Sequence, residues 1–434
     1  MVKGWDQMKK IINKIKSSIW LYPAIYSLMA FLLSLGISII DKRYSVEMSY
    51  YLGDIFYTTS SLAQAVLGIV AGAFITIATF TFSTTMLVLT MYSSQFTPRV
   101  VENFLNNKTT MKSFGVFLSG FIYAITSFLF INTGEDGNLV IAASVGVIYI
   151  IVGLVYFLIF IHNVSTHIQA SDLIFRLHDE AMKRVRQYRD SIKESKIISK
   201  AEMKRMIKGK KLIDIYGQSD GYIQEIDYHR LQKIAEELKC IICFEKVVGQ
   251  FVVTETKIMT IYADGDKTFD DAIINRIHEA IWIGSKKTQT QDFSFTIQKI
   301  VEIAVKALSP GINDPNTAIH CLKIIGVLLR DLADIDDGYV LLQNEESGYI
   351  IYEAYDFEVL LYDAYNQIMF YGQYDASVVI AGFKSLRFVR DKASEENIKF
   401  VDAYAKHLLE KKTIQNHDKL DFEKIQKEYL DLIN

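Results

Sequence analysis

The chain has 434 residues, 50% hydrophobic and 22% charged, with a formal net charge of −3 at pH 7. That length leaves room for two to three domains. The near-neutral balance supplies no basic surface of the kind that binds nucleic acid, and three cysteines are too few for a disulfide framework. The charges are unevenly spread. Residues 1–162 hold 10 Lys+Arg and 7 Asp+Glu, whereas the other 272 residues hold 37 and 43. The pattern predicts a membrane domain over 1–162, followed by a soluble domain of ordinary polarity.

Residues 1–18 carry Lys3, Lys9, Lys10, Lys14 and Lys16 on an amphipathic pattern. Residues 19–40 are then uncharged for 22 positions, a full crossing. A signal peptide is excluded, because the apolar run is too long and Asp41-Lys42-Arg43 follows without a small-residue cleavage site. From Ile55 to Pro98, 44 consecutive positions carry no Lys, Arg, Asp or Glu. As a helix this stretch would span over ~60 Å, about twice the hydrocarbon core of a bilayer. Within it Ala65, Gly68, Gly72, Thr76, Thr79, Ser83, Thr90 and Ser94 recur at helical spacing and fall on one face. Such a face lets helices approach closely in a membrane, or lines a wet pathway. Both readings stay open.

Residues 113–131 and 139–161 complete a set of four transmembrane helices, about 19–40, 56–92, 113–131 and 139–161. Basic residues set the orientation. The N-terminus has five Lys, residues 93–112 hold Arg99, Lys108 and Lys112, and the segment after His162 is rich in both types. Residues 41–54 hold two and 132–138 none, so both termini are expected in the cytoplasm. The four helices as bounded here contain no acid or base, which weighs against an ion-coupled transporter more than against a passive channel.

Residues 163–210 continue the helical period through Val164, Ile168, Leu173, Leu177, Ala181 and Val185, as a stalk. His162 and His167 would lie about 140° apart on it, a poor geometry for shared metal ligation. Residues 211–264 read as a small α+β module. Gly221 to Ile226 alternates, Asp227 can cap a helix reaching Leu238, and 240–244, 250–254 and 258–262 read as strands. Cys240 and Cys243 have redox spacing, but residues three apart on a strand point to opposite faces. They read as buried structural thiols in a reducing compartment. Residues 265–434 read as helical, with one helix over 269–285, a second marked by Phe293, Ile297, Ile300, Ala304 and Leu308, and a third after Pro315. Helices over 357–371 and 376–390 follow, the latter capped by Asp375. The fold class is thus a membrane protein: four transmembrane α-helices plus a cytoplasmic α+β domain, a small β module followed by helices.

Gly217-Gln-Ser219-Asp-Gly221 matches the nucleophile elbow, which needs a strand, a turn and then a helix. An alternating strand follows instead, so Ser219 is expected in a polar hairpin loop. The stretch from Asp264 resembles a calcium loop, but its sixth position is Phe269 and its twelfth Asn275. There is no H-E-x-x-H, phosphate loop or dinucleotide fingerprint. No catalytic residue, metal or cofactor is expected. One polar segment remains, Ser309-Pro310-Gly311-Ile312-Asn313-Asp314-Pro315. Pro310 and Gly311 stop one helix, Asp314 caps the next, and Pro315 suits a first turn. Gly311 is expected to need a backbone shape closed to other residues. The crowded polar groups, with Asn316 and Thr317 beyond, could join two helices, dock a partner or hold an anion.

This segment also carries a resemblance. ALSPGINDPNTA at Ala307–Ala318, with DFSFTIQKIVEIA before it, resembles the signature of a bacterial family of predicted membrane proteins catalogued as domain of unknown function 2254. Further matches are SSQFTPRVVENFL from Ser93, IHNVSTHIQAS from Ile161, GYIQEID from Gly221, GQFVV from Gly249 and YGQYDASV from Tyr371. Asn316 departs from it, where an aromatic is expected. The resemblance covers nearly the whole chain and implies a bacterial inner-membrane protein, while leaving its activity open. The expected partners are the lipid bilayer and further copies of the chain, since a small-residue seam of this length needs a partner helix. The leading functional reading is an oligomeric channel or transport-related protein with a cytoplasmic regulatory or assembly domain. The alternative is a membrane-anchored signalling or scaffold protein, and an enzyme is least favoured.

Overall fold

The computed structural model describes residues 21–52, 56–96, 108–131, 139–167, 170–193, 195–265, 269–288, 290–343 and 348–434. The N-terminal lysines, Arg99, the 132–138 loop and residues 266–268 of the calcium-like stretch lie outside them. The chain forms two compact units, Met1–Asp172 and Leu173–Asn434.

The first unit contains α1 (Leu21–Leu52), α2 (Ser60–Gln95), α3 (Lys108–Phe130) and α4 (Ala142–His167), with a short antiparallel pair of β1 (Thr58–Thr59) and β2 (Leu139–Val140). Among the described residues, four spans are long and apolar enough to cross a membrane: Leu21–Arg43, Ser60–Ser94, Thr109–Phe130 and Ala142–Thr166. Several boundaries differ from expectation. α2 and α4 start later, at Ser60 and Ala142, because Thr58–Thr59 and Leu139–Val140 pair as strands. α1 runs on through Asp41, whose carboxylate accepts the N–H groups of Ile141 (2.9 Å) and Ala142 (3.3 Å) at the start of α4. A helix start leaves donors unpaired, and a carboxylate leaving water needs such donors.

α3 packs against α1, α2 and α4. Phe74 of α2 is fully buried, its ring seated against Gly120 of α3 and Gly153 of α4. A Cβ at Gly153 would lie 2.6 Å from that ring, so these glycines make close helix contacts. Three hydroxyl contacts join helices inside the bundle: Ser34 with Ser127 (2.9 Å), Ser119 with Tyr149 (2.8 Å), and Tyr123 donating to the Ala142 carbonyl (2.9 Å). Leu28, Leu32, Ile69, Leu87, Leu129, Ile151 and Leu158 point outward, as lipid-facing positions do.

The second unit takes in most of α5 (Ala170–Lys193) and continues with β3 (Lys196–Ile198), α6 (Lys200–Ile207), β4 (Lys211–Tyr216), β5 (Gly221–Ile226), α7 (Tyr228–Leu238), β6 (Cys240–Phe244), β7 (Phe251–Val252) and β8 (Lys257–Ala263). Then come α8 (Asp271–His278), β9 (Ile281–Gly284), α9 (Phe293–Ala307), α10 (Pro315–Arg330), β10 (Tyr339–Leu342) and β11 (Tyr349–Glu353). The helices α11 (Phe357–Gly372), α12 (Ala376–Arg390), α13 (Glu395–Leu409), α14 (Lys412–Gln415) and α15 (Lys419–Ile433) close the chain. One sheet has the order β3-β10-β11-β6-β8-β4 and a second β7-β5-β9. β11 runs parallel to β6, and the other pairings are antiparallel.

β6 is buried at every position. Cys240, Ile242 and Phe244 face a core shared with Leu231, Ile234 and Ile261, while Ile241 and Cys243 face Ile198, Leu341 and Ile351. The two thiols are therefore on opposite faces, and neither is in a disulfide. Helix starts are marked by aspartates: Asp227, Asp270, Asp292, Asp314, Asp356 and Asp375 each accept a first-turn N–H. The helix expected over 269–285 is corrected. It ends at His278, and Ile281–Gly284 pairs with β5 instead, since an apolar β-branched run gains ladder bonds there that a helix would forgo. The six-stranded sheet also draws β3, β10 and β11 from outside residues 211–264.

Candidate functional site

Two features single out places on this fold. The first is α2. Ala65, Gly68, Gly72, Thr76, Thr79, Ser83, Thr90 and Ser94 are all exposed on it. Ala63, Leu67, Val70, Phe74, Ala78, Thr81, Val88 and Tyr92, on the opposite side, are buried. A Cβ added at Gly68 or Gly72 meets nothing within 4 Å. Among the described residues the stripe is therefore not a close contact within this chain, which seats Phe74 against Gly120 and Gly153 instead. Its hydroxyls turn back on the helix: Thr76 donates to Gly72 (2.8 Å), Thr79 to Ile75 (2.8 Å), Thr90 to Met86 (2.9 Å) and Ser94 to Met91 (3.0 Å). Each oxygen keeps lone pairs to offer water or a neighbouring helix.

The second is the turn between α9 and α10. Ser309 donates its hydroxyl to the Lys306 carbonyl (2.6 Å), and its own carbonyl accepts from Ile312 (3.0 Å) and Asn313 (2.9 Å). The Asp314 N–H reaches back to Ala307 (2.9 Å). The Asp314 carboxylate accepts from the Thr317 N–H (3.1 Å) and hydroxyl (2.6 Å), with Pro315 in the first turn of α10. The backbone expectation for Gly311 is corrected. Gly311 is exposed and outside the left-handed region, whereas Asn313 adopts it with φ +49°. Asn tolerates that conformation better than most residues. Pro310, Gly311 and Asn313 lie at the surface. Behind the turn, burial and the nearby Asp314 charge push the Cys321 thiol up. The motif from Tyr371 packs alongside, Gly372 lying against Val378 and near Leu308.

One constellation escaped the sequence reading. Ser34, Ser38, Asp41, Lys42, Ser60 and Ser127 line a cavity of about 50 Å³ in the first unit. From the sequence Asp41 is expected in the loop after the first membrane helix, and the four helices are expected to be free of acids. It lies within the span Leu21–Arg43. A signal was present, since Ser34, Ser38 and Asp41 are four and three apart and share a helix face. Its partners at 141 and 142, however, are a hundred residues away. Ser219 is exposed on the link from β4 to β5, strands of different sheets, so that link is not a hairpin. Strand β5, not a helix, comes directly after Ser219, so the elbow geometry is not built.

Four apolar helices long enough to cross a membrane, followed by a mixed α+β unit, fit the class of multi-span membrane proteins. Residues 16–387 match the family described as Predicted membrane protein (DUF2254), and the chain belongs to it. It is similar to an uncharacterized protein of Mycobacterium tuberculosis (Rv1290c) and one of Mycobacterium bovis (Mb1321c). Each is 23% identical over 348 residues, covering 76% of this chain and 64% of the relative. The chain thus spans less than two thirds of the length of these relatives. No solved structure matches it.

Proposed function

We propose that the protein is an oligomeric channel or transport-type protein of the bacterial cytoplasmic membrane, with both termini in the cytoplasm. The α2 helices of neighbouring copies face one another across the small-residue stripe and line the path, and the soluble unit assembles or gates it. The observation that carries this reading is the exposure of the whole stripe on α2, in a chain that makes its own close contacts elsewhere. A purely lipid-facing surface needs neither glycine nor hydroxyls, whereas a close helix partner or a water file uses both. The back-bonded hydroxyls favour a second reading, an anchor or scaffold whose α2 stripe only packs, because a dry seam needs its donors satisfied.

The test is a set of single cysteines in membranes, at Gly68, Gly72, Thr76, Thr79 and Ser83, with Ile69 and Leu87 as lipid-facing controls. The expected outcome is oxidative cross-linking at Thr76→Cys and reaction of the stripe, but not the controls, with a membrane-impermeant thiosulfonate. Cross-linking without reaction would select the scaffold. Neither cross-linking nor reaction would place the stripe against lipid and refute both readings.

A further inference from the structure

The second unit holds a cavity of about 330 Å³, a volume typical of small-molecule sites. It is independent of the α2 stripe and of the α9–α10 turn. Tyr188 of α5, Tyr228 at the start of α7, Tyr352 of β11 and Tyr355 just beyond it line the space. The rings of Tyr228 and Tyr352 lie 5.0 Å apart at 30°, and those of Tyr188 and Tyr355 5.4 Å apart edge to face. Burial pushes all four phenols above their ordinary range, Tyr352 to about 12.

Into this aromatic lining α5 sets Arg184. Its Nη1 donates to Gln187 Oε1 at 2.9 Å, while its Nε is buried with no acceptor. Among the described residues no carboxylate pairs with it. Glu353, the carboxylate in the lining, is exposed and makes no bond to it. Arg189, further along the same helix, shows the ordinary arrangement: a two-pronged pair with Asp334 at 2.6 and 2.8 Å. A buried N–H without an acceptor costs free energy until one is supplied. A guanidinium is a planar fork matched to a carboxylate or phosphate, and flat rings stack on tyrosine faces.

We propose that this cavity binds a small planar aromatic anion, its ring against the tyrosines and its carboxylate or phosphate on Arg184. The test uses the full chain in detergent, titrated with adenosine 5′-monophosphate and with indole-3-acetate, and read by calorimetry and by thermal unfolding. At least one of the two is expected to bind saturably and raise the melting temperature. Adenosine and indole, which lack the charge, should bind at least tenfold more weakly. Binding of the nucleotide alone would mark the anion as phosphate, and of the indole acid alone as carboxylate. Arg184→Gln should weaken binding at least tenfold, and Arg184→Lys less. Gln187→Glu supplies the missing carboxylate internally, so it should remove binding while keeping the unliganded melting temperature, whatever the stability of Arg184→Gln. Failure of both probes to bind, or undiminished binding by Gln187→Glu, would overturn the proposal.

Discussion

Asn313 carries the left-handed backbone of the α9–α10 turn, and the neighbouring Gly311 does not. A β-branched residue at 313 should therefore cost about 1–2 kcal/mol, the penalty for that conformation. Asn313→Gly and Gly311→Ala should be close to neutral. Asp314→Ala removes the cap and should cost about 1 kcal/mol, whereas Asp314→Ser, which still accepts a first-turn N–H, should cost less. Thermal unfolding of the full chain checks all five, and a Gly311→Ala protein as weakened as Asn313→Val would contradict the assignment. The thiols are equally local. Burial and the nearby Glu245 charge push Cys243 up to about 12, and Cys240 and Cys321 are buried too. Near pH 8 none of the three should react with a disulfide reagent in the native protein, and all three should react in denaturant. Rapid native reaction at Cys240 or Cys243 would reopen the redox reading that their spacing suggests.

At the scale of the helix, the glycines of the first unit are of two kinds, those packed within the chain and those on the exposed face of α2. Gly120 faces Phe74, so even Gly120→Ala must displace a fully buried ring and should lower the melting temperature in detergent. Gly72 meets nothing in its own chain, so Gly72→Leu should leave the chain folded. Its effect, a shift of the assembled form to smaller species in size-exclusion chromatography, would come from a partner helix. An unchanged elution volume and melting temperature for Gly72→Leu would leave the stripe facing lipid. Gly68 and Gly72 were legible in the sequence as members of one face, because helical period is a local property. Which way that face turns was not. It depends on α3 and α4, whose Gly120 and Gly153 receive Phe74 from the other side of α2.

For the molecule as a whole, the topology proposal makes a direct prediction. A cysteine at Gly134 or Asp136 should be labelled from outside intact cells, and one at Lys108 should not. Labelling at 108 alone would invert the orientation. The four apolar spans could be read directly from the chain, because length and hydropathy are sums over neighbours and need no fold to be computed. The same holds for Gly221–Ile226, for the opposite faces of Cys240 and Cys243, and for the caps at Asp227, Asp314 and Asp375. Each is set within a few residues by alternation or by a first-turn N–H. Other features waited on contacts between distant segments. Asp41 found its donors at Ile141 and Ala142. Ile281–Gly284 became a strand because β5 offered an edge, and the sheet around β6 closed with strands from 196–198 and 339–353. Arg184 met its tyrosines from α7 and β11 only once the chain had folded. Pairing energy across a hundred residues leaves no trace in local period, so composition and spacing specify the elements, while their faces, edges and cavities are decided by what packs against them.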